Sequence, residues 1–193
     1  GQVMPSVRES LDKLETDVVD LLLLHWPSRT YPLESYIGQL AEAFDAGLAK
    51  RIGVSNFNKA QIDQTAVLLG DRKIATNQVE AHVYMQNRPI VEHCQAMGIP
   101  VTAYCPVARG AIVGDPVLAE IGAAHDVSGD QVALAFLMAK GMIVIPSSGK
   151  KARIVSNFEA RRIALTPDEV ARLEGLDRGM RIVSGGGAVD WDV

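Results

Sequence analysis

The chain has 193 residues, of which 48% are apolar and 22% are charged, and its formal net charge is -4. This length fits one domain, and the mildly acidic balance gives no reason to expect a nucleic-acid partner. No apolar run approaches the roughly 20 residues that span a bilayer, and Cys94 and Cys105 lie far apart. We therefore expect one cytoplasmic domain with two free thiols, no metal site, and no membrane or nucleic-acid partner.

Short apolar runs alternate along the chain with segments of helical periodicity. The predicted strands are, in order, "VVDLLLLH" (18–25), "RIGVSN" (51–56), "ATNQVE" (75–80), "VTAYC" (101–105) and "MIVIPSS" (142–148). Apolar spacing and capping residues predict helices over about 6–14, 34–46, 58–70, 89–97, 151–157 and 166–176, and two further helices that begin at Asp115-Pro116 and at Ser128. The tail "SGGGAVDWDV" (184–193) is predicted to be flexible or loosely docked.

At least one helix separates each predicted strand from the next, which is typical of a parallel sheet with right-handed crossovers. Two architectures satisfy this pattern, an open doubly wound sheet and a closed barrel. The open sheet normally binds a nucleotide at a glycine-rich first turn, but no G-x-G-x-x-G follows any strand. A closed barrel needs eight strands, and only five runs are present. Periodicity alone leaves the choice open.

Polar residues collect at the ends of the predicted strands. The five strands carry, at or near their ends, His25 and Trp26, then Ser55 and Asn56, then Asn77, Gln78 and Glu80, then Tyr104, and finally Ser147 and Ser148. In a parallel sheet the carboxyl ends share one side, so these side chains are expected to converge there. Taken singly, each could be a structural residue or part of a turn. Five polar strand ends in succession favour a functional site.

The order and spacing of five motifs carry a resemblance to a known family. They are "DLLLLHWP", "RIGVSNF", "NQVE", "VTAYCP" and "VIPSS....R...N". From Gly1 to about Asp177 the chain resembles the aldo-keto reductases. The stretches "IATNQVE", "VYMQNR", "VIPSSGKKARIVSN" and "VDW" are similar to the bacterial subgroup of 2,5-diketo-D-gluconate reductases of the B type, also described as acting on methylglyoxal.

The resemblance implies a fold and an activity. The fold is an α/β protein, a (β/α)8 TIM barrel, of which residues 1–193 would carry strands four to eight with their helices and tail. The first three strands and the family's catalytic Asp, Tyr and Lys would precede Gly1. The implied activity is NADPH-dependent reduction of a carbonyl in small keto acids, keto sugars or aldehydes, by a monomeric enzyme. The alternative is a non-catalytic module of the same family that senses the cofactor or regulates a partner.

The resemblance also implies roles for the residues at the first four strand ends. His25 would donate an N–H bond to the substrate carbonyl oxygen, and Trp26 would form an apolar wall of the substrate pocket. The nicotinamide carboxamide would be bound by Ser55, Asn56 and Gln78, because an amide ligand needs both donors and acceptors. Tyr104 would stack on the nicotinamide ring.

The remaining correspondences concern the phosphates of the cofactor. Pro106, Val107, Ala108 and Gly110 correspond to the loop that covers the pyrophosphate. Ser148, Arg153 and Asn157 correspond to positions around the adenosine and its 2′-phosphate. Many members of the family have a Lys where this chain has Ser147, which weakens the case for strict NADPH preference. The neighbouring basic residues Lys150 and Lys151 follow the last strand, and Lys150 is the candidate to supply the missing charge.

Overall fold

The computed structural model describes residues 3–184 and 191, so most of the tail predicted to be loosely docked lies outside the described residues. The chain forms two compact units. The first unit comprises Gly1–Gln78, Pro89–Pro100 and Ser184–Val193, and the second comprises Val79–Arg88 and Val101–Val183. Within residues 3–184, no helix has the length and hydropathy that crossing a membrane requires.

The first unit contains three parallel strands and four helices. In chain order these are α1 (Val3–Leu14), β1 (Leu22–Leu24), α2 (Leu33–Asp45), β2 (Ile52–Ser55), α3 (Lys59–Leu69), β3 (Ile74–Glu80) and α4 (Arg88–Ala96); the last residues of β3 and the first of α4 belong to the second unit. β1 pairs with β2, and β2 pairs with β3. The pairing of Ser55 with Gln78 aligns the ends of β2 and β3.

A glycine determines how closely the strands of the first unit approach. All four residues of β2 are buried, as expected for a strand covered on both faces. A Cβ atom on Gly53 would lie 2.7 Å from the backbone oxygen of Thr76 and 2.9 Å from Cδ2 of Leu23. Because Cβ atoms do not tolerate such distances, only glycine allows this register between β2 and its neighbours.

The second unit contains two parallel strands and four helices. Its elements are β4 (Val101–Tyr104), α5 (Pro116–Ala124), α6 (Gly129–Ala139), β5 (Ile143–Val144), α7 (Lys151–Glu159) and α8 (Pro167–Glu174), with short 3-10 turns at Ala108–Gly110 and Ala160–Arg162. β4 pairs with β5 through Thr102 and Ile143. The core of this unit includes α6, whose residues from Val132 to Leu137 are all buried.

The predicted helix starts are confirmed where a capping side chain defines them. Asn58, Ser128 and Thr166 each form a capping box with the residue three positions later. Asp115 accepts hydrogen bonds from the first amides of α5 and precedes a proline. Each cap satisfies backbone N–H groups that have no partner inside the helix.

The predicted extents of two strands are wrong. β1 was expected as a buried strand over Val18–His25, but it covers Leu22–Leu24, its residues are only half-buried, and Leu21 is 41% exposed. Within the described residues β1 pairs only with β2, so one of its edges gains no ladder hydrogen bonds. β5 was expected over 142–148 but ends at Val144, shortly before Pro146, which has no N–H to donate.

Candidate active site

The carboxyl ends of β1, β2 and β3 are joined by side-chain hydrogen bonds. Nδ2 of Asn56 donates to the backbone oxygen of His25 at 3.0 Å and to Oγ of Ser55 at 3.1 Å. Oγ of Ser55 in turn donates to the backbone oxygen of Gln78 at 2.8 Å. The structure therefore brings together the ends of the first three strands at His25, Ser55, Asn56 and Gln78, as expected for parallel strands.

Asn56 has an unusual backbone conformation. Its φ is 64°, in the left-handed region, which asparagine tolerates better than most residues. It is 1% exposed, as is Ser55, so the turn after β2 lies in the interior. Left-handed residues held by a rigid surrounding structure occur often at functional sites, and this one holds the backbone of His25.

His25 and Trp26 follow β1 and stand next to a third aromatic ring. The imidazole of His25 is exposed, and no residue in the described part of the chain forms a hydrogen bond with it. Its ring centroid is 6.2 Å from that of Trp26. Trp26 is half-buried and meets Trp191 edge to face at 6.4 Å. Both imidazole nitrogens of His25 are thus available to a ligand, beside an apolar surface.

A cavity of about 470 Å³ lies in the first unit, and His25 and Trp26 are among the residues that line it. Its volume is within the range of small-molecule sites, roughly 300–1,000 Å³. The lining combines the apolar side chains of β1 with hydroxyl groups from α1, α2 and the loops, and its residues include Ser6, Ser10, Leu23, His25, Trp26, Ser28, Tyr31 and Tyr36. The cavity runs along the edge of β1 opposite β2.

In the second unit, Tyr104 ends β4 in a half-buried position. Its backbone oxygen accepts a hydrogen bond from the amide of Ala81 at 3.3 Å, which places it beside the end of β3. Burial raises the pKa of the Tyr104 phenol, and the negative charge of Glu80 raises it further. The ring is therefore neutral at physiological pH.

The loop after β4 is tightly wound. Pro106 and Ala108 are buried, Val107 is half-buried, and Ala108, Arg109 and Gly110 have φ values of 48°, 51° and 92°. A left-handed conformation costs a residue other than glycine about 1–2 kcal/mol. The loop predicted to cover the pyrophosphate is thus a strained turn.

The predicted phosphate-binding residues lie around the start of α7. Ser147, Lys150 and Arg153 are exposed, and Ser148 and Asn157 are half-buried. Oγ of Ser148 accepts a hydrogen bond from the amide of Lys150 at 3.1 Å. Among the described residues, neither Lys150 nor Arg153 forms an ion pair, so both cations can bind an anion near the amides of the helix N-terminus.

Residues 1–178 match the sequence model of the aldo/keto reductase family. The chain belongs to the aldo/keto reductase family. Over 194 residues it is 40% identical to the methylglyoxal reductase DkgB of Escherichia coli O157:H7, spanning 99% of this chain and 73% of that relative. The protein of the same name from Yersinia pestis is 39% identical over the same shares.

A solved structure supports the same assignment. The crystal structure of a protein described as a 2,5-diketo-D-gluconic acid reductase B matches with a TM-score of 0.93 at 41% identity, over 98% of this chain and 68% of that chain. The predicted family and fold class are therefore confirmed: the described residues carry five parallel strands and eight α-helices of a (β/α)8 barrel of the aldo/keto reductases.

Family membership also establishes the class of reaction. The protein is an oxidoreductase of the aldo/keto reductases, which reduce carbonyl groups of small molecules with a nicotinamide cofactor. In the first unit, the exposed imidazole of His25 and the half-buried amide of Gln78 are groups that can bind a carbonyl or an amide. In the second unit, the exposed cations around the start of α7 can bind an anion.

Two polar residues of β3 have contacts that the sequence did not indicate. The side chain of Asn77 is fully buried and bonds both backbone groups of Phe57, which makes it structural. Glu80 is also fully buried, and it binds Ile182 and Val183 about a hundred positions later. One sequence signal could have indicated the contact between Glu80 and His82. The two residues are two positions apart, and side chains with this spacing point to the same face of a strand.

Proposed function

We propose that this aldo/keto reductase uses NADPH to reduce small keto acids, keto sugars or aldehydes. Methylglyoxal and 2,5-diketo-D-gluconate are the first substrates to test, because the relatives named above carry those names. The observation that carries the proposal is the exposed imidazole of His25, whose backbone is held by Asn56 next to the apolar ring of Trp26.

His25 is proposed to act on the carbonyl oxygen of the substrate. A neutral imidazole donates one N–H bond to this oxygen, orients the carbonyl, and stabilises the negative charge that develops on it. NADPH supplies the hydride when bound, and the proton on the product alcohol would come from the catalytic Tyr of the family. Trp26 provides an apolar surface beside the reacting carbon, where its large ring excludes water.

The nicotinamide end of the cofactor is proposed to bind Ser55, Asn56 and Gln78. The side-chain amide of Gln78 forms no hydrogen bond with another described residue, so both its donor and its acceptor are available. Ser55 and Asn56 already bond each other and the backbone. A carboxamide would therefore share or replace bonds that exist in this structure. Tyr104 offers a neutral ring for stacking.

The phosphate end is proposed to bind the second unit. Arg153 presents a planar guanidinium for a bidentate contact with the 2′-phosphate, and Lys150 compensates for Ser147. Ser148 and Asn157 would contact the adenosine. The strained turn formed by Pro106, Val107, Ala108 and Gly110 would cover the pyrophosphate.

Other features of the protein remain predictions. They are the assignment of residues 1–193 to strands four to eight of the barrel, the cytoplasmic location and the monomeric state. The alternative of a non-catalytic module that senses the cofactor has less support, because such a module does not require an exposed imidazole beside an apolar ring.

The decisive experiment compares NADPH with NADH in the protein expressed from its complete reading frame. The Arg153→Ala variant should bind NADPH about 1–3 kcal/mol more weakly, the scale of a charge-assisted contact, with NADH binding nearly unchanged. Arg161→Ala is the matched control, since Arg161 is an exposed arginine nearby that stacks on Phe158.

Two results would contradict the proposal. Equal losses for both cofactors would show that Arg153 does not contact the 2′-phosphate. A protein that binds NADPH but turns over neither methylglyoxal nor 2,5-diketo-D-gluconate would reject these substrates.

A further inference from the structure

The loop between β4 and α5 is hydrogen-bonded to itself along its whole length. It covers residues 105–115, and we call it the β4–α5 loop. Five backbone amides in it donate to the carbonyl oxygen three positions earlier, over distances of 2.8–3.1 Å; they belong to Ala108, Gly110, Ala111, Val113 and Asp115. Because these turns overlap, a displacement at one end of the loop is passed along to the other end.

Side-chain packing supports the beginning of the β4–α5 loop better than its end. Pro106, Ala108 and Ile112 are buried, whereas Val113 is 77% exposed and Gly114 is exposed as well. The left-handed residues of the loop keep their strained conformation only if the surrounding structure fixes it. The end of the loop therefore depends on the contacts of the next residue, Asp115.

Asp115 uses its two carboxylate oxygens for two different parts of the second unit. Oδ1 accepts hydrogen bonds from the amides of Val117 and Leu118 at 2.9 and 3.0 Å, which caps α5. Oδ2 accepts a hydrogen bond from the hydroxyl of Tyr84 at 2.6 Å. That distance is typical of a hydroxyl that donates to an ionised carboxylate. A helix cap needs only the first oxygen, so the second is available to fix the end of the loop.

Tyr84 lies between β3 and α4 and is itself held in place. It is 4% exposed, and its backbone oxygen accepts hydrogen bonds from the amides of Arg178 and Met180 at 3.2 and 2.9 Å. The guanidinium of Arg178 lies 3.7 Å from the centroid of the Tyr84 ring, a cation–π contact. All of these residues and the β4–α5 loop belong to the second unit. The hydroxyl of Tyr84 is thus positioned by contacts that do not involve the loop.

The bond between Tyr84 and Asp115 persists at physiological pH. Burial and the bond to Asp115 raise the pKa of Tyr84 to about 12, so the phenol keeps its proton. Burial favours the neutral acid at Asp115, but the bonds from Tyr84, Leu118 and Val117 outweigh it and hold the pKa of that carboxyl below its usual value. A neutral donor therefore faces a charged acceptor.

We infer that Tyr84 is a positioning residue for the β4–α5 loop. This inference rests on the proposed function, in which Pro106, Val107, Ala108 and Gly110 cover the pyrophosphate of the cofactor. By holding Asp115, Tyr84 keeps the loop in one conformation before the cofactor binds, so that binding does not have to order it. NADPH and NADH share the pyrophosphate. Tyr84 therefore affects both cofactors equally, unlike Arg153.

The test uses Tyr84→Phe in the protein expressed from its complete reading frame. This change removes the hydroxyl and retains the ring and the backbone contacts. Hydrogen exchange measured by NMR at the amides of Val113 and Asp115 should be faster than in the wild type.

Cofactor binding is then measured by titration. The Kd values for NADPH and NADH should rise by the same factor, about two- to tenfold, the equivalent of one hydrogen bond. The affinity for adenosine 2′,5′-bisphosphate, which has no pyrophosphate, should be unchanged. The KM for the cofactor should rise while kcat at saturating cofactor does not fall.

Two further variants show whether the effect passes through Asp115. Asp115→Asn keeps an oxygen for the cap of α5 but loses the charge that accepts from Tyr84, so it should act in the same direction. The double variant should bind the cofactors no more weakly than the weaker single variant, because both changes act on one bond. Thr166→Ala is the control, since it removes a cap of α8 in the same unit and should leave both Kd values unchanged. If Tyr84→Phe does not fold, Asp115→Asn is used in its place.

The outcomes distinguish this inference from the proposed function. Unchanged exchange at Val113 and Asp115, or faster exchange with unchanged Kd values, overturns the positioning role. A loss confined to NADPH, or weaker binding of the bisphosphate, also overturns it. If the wild type binds neither cofactor, the proposed function has failed. Faster exchange in Tyr84→Phe would then still support the role of Tyr84 in holding the loop, and unchanged exchange would reject it.

Discussion

Substitutions at Asn56 can separate backbone strain from side-chain bonding at the candidate active site. Asn56 has a φ of 64°, and its Nδ2 bonds the backbone oxygen of His25 and the hydroxyl of Ser55. Asn56→Ala removes both bonds and must also hold the left-handed conformation with a Cβ atom. Asn56→Gly removes the same bonds, but glycine adopts this conformation without strain.

The magnitudes follow from these contacts. A hydrogen bond contributes about 0.5–1.5 kcal/mol net, so the two bonds together contribute about 1–3 kcal/mol. The left-handed conformation costs alanine about 1–2 kcal/mol more, and the greater freedom of unfolded glycine costs about 0.5–1 kcal/mol. We expect Asn56→Ala to lower the free energy of unfolding by about 2–5 kcal/mol, and Asn56→Gly by about 0.5–1 kcal/mol less.

These differences can be measured by urea unfolding, with tryptophan fluorescence as the signal. If the free energy of unfolding falls with urea concentration at the same slope in every variant, only stability has changed. Turnover should fall to a similar extent in both variants, because each releases the backbone of His25. Asn58→Ala is the control: it removes the cap of α3 at a cost of about 1 kcal/mol and should leave turnover intact. If Asn56→Gly is no more stable than Asn56→Ala, the left-handed conformation at position 56 does not strain the alanine variant. Normal turnover in both variants would refute the role of Asn56 in holding His25.

Three further outcomes are expected. His25→Ala should lower kcat about 100-fold, the usual scale for one such donor, while a fluorescence titration shows unchanged NADPH binding; near-normal turnover would make His25 structural. Ser128→Ala removes a capping box of α6 and should lower the midpoint of urea unfolding by the equivalent of about 1 kcal/mol. Burial raises the pKa of Glu80, but hydrogen bonds from His82, Ile182 and Val183 outweigh it and hold the pKa below its usual value of 4.5. The contribution of Glu80 to stability is therefore fully present above that pH and lost as the pH falls through the lower folded value. Acid unfolding of Glu80→Gln should lack that part of the pH dependence, and an unchanged acid profile would contradict it.

Local signals predicted the parts of the fold that depend on neighbours in sequence. The capping box of Ser128 with Gln131 involves residues three positions apart, so the sequence alone defines the start of α6. The convergence of His25, Ser55 and Gln78 followed from the geometry of parallel strands and needed no knowledge of individual contacts. The family motifs then selected the barrel, which periodicity had left undecided.

Features that depend on distant pairing could not be predicted in the same way. The extent of β1 depends on which strands lie beside it, and the apolar run 21–24 gives no information about that. Glu80 appeared only as a polar residue on β3, because its partners Ile182 and Val183 lie in a segment without secondary structure. The left-handed conformation of Asn56 was also not evident, since asparagine occurs in many turns.

The absent side chain of Gly53 limits how this enzyme can diversify. Any larger residue at this position must push β2 away from the oxygen of Thr76, and Ser55, two positions later on the same strand, would move with it. A substitution at Gly53 would thus disturb the carboxamide binding proposed for Ser55, although none of the residues proposed to contact the cofactor would have changed. In a mutational library, position 53 should behave as intolerant as a ligand-binding residue, and new substrate ranges should arise from loop positions that leave the spacing of the strands unchanged.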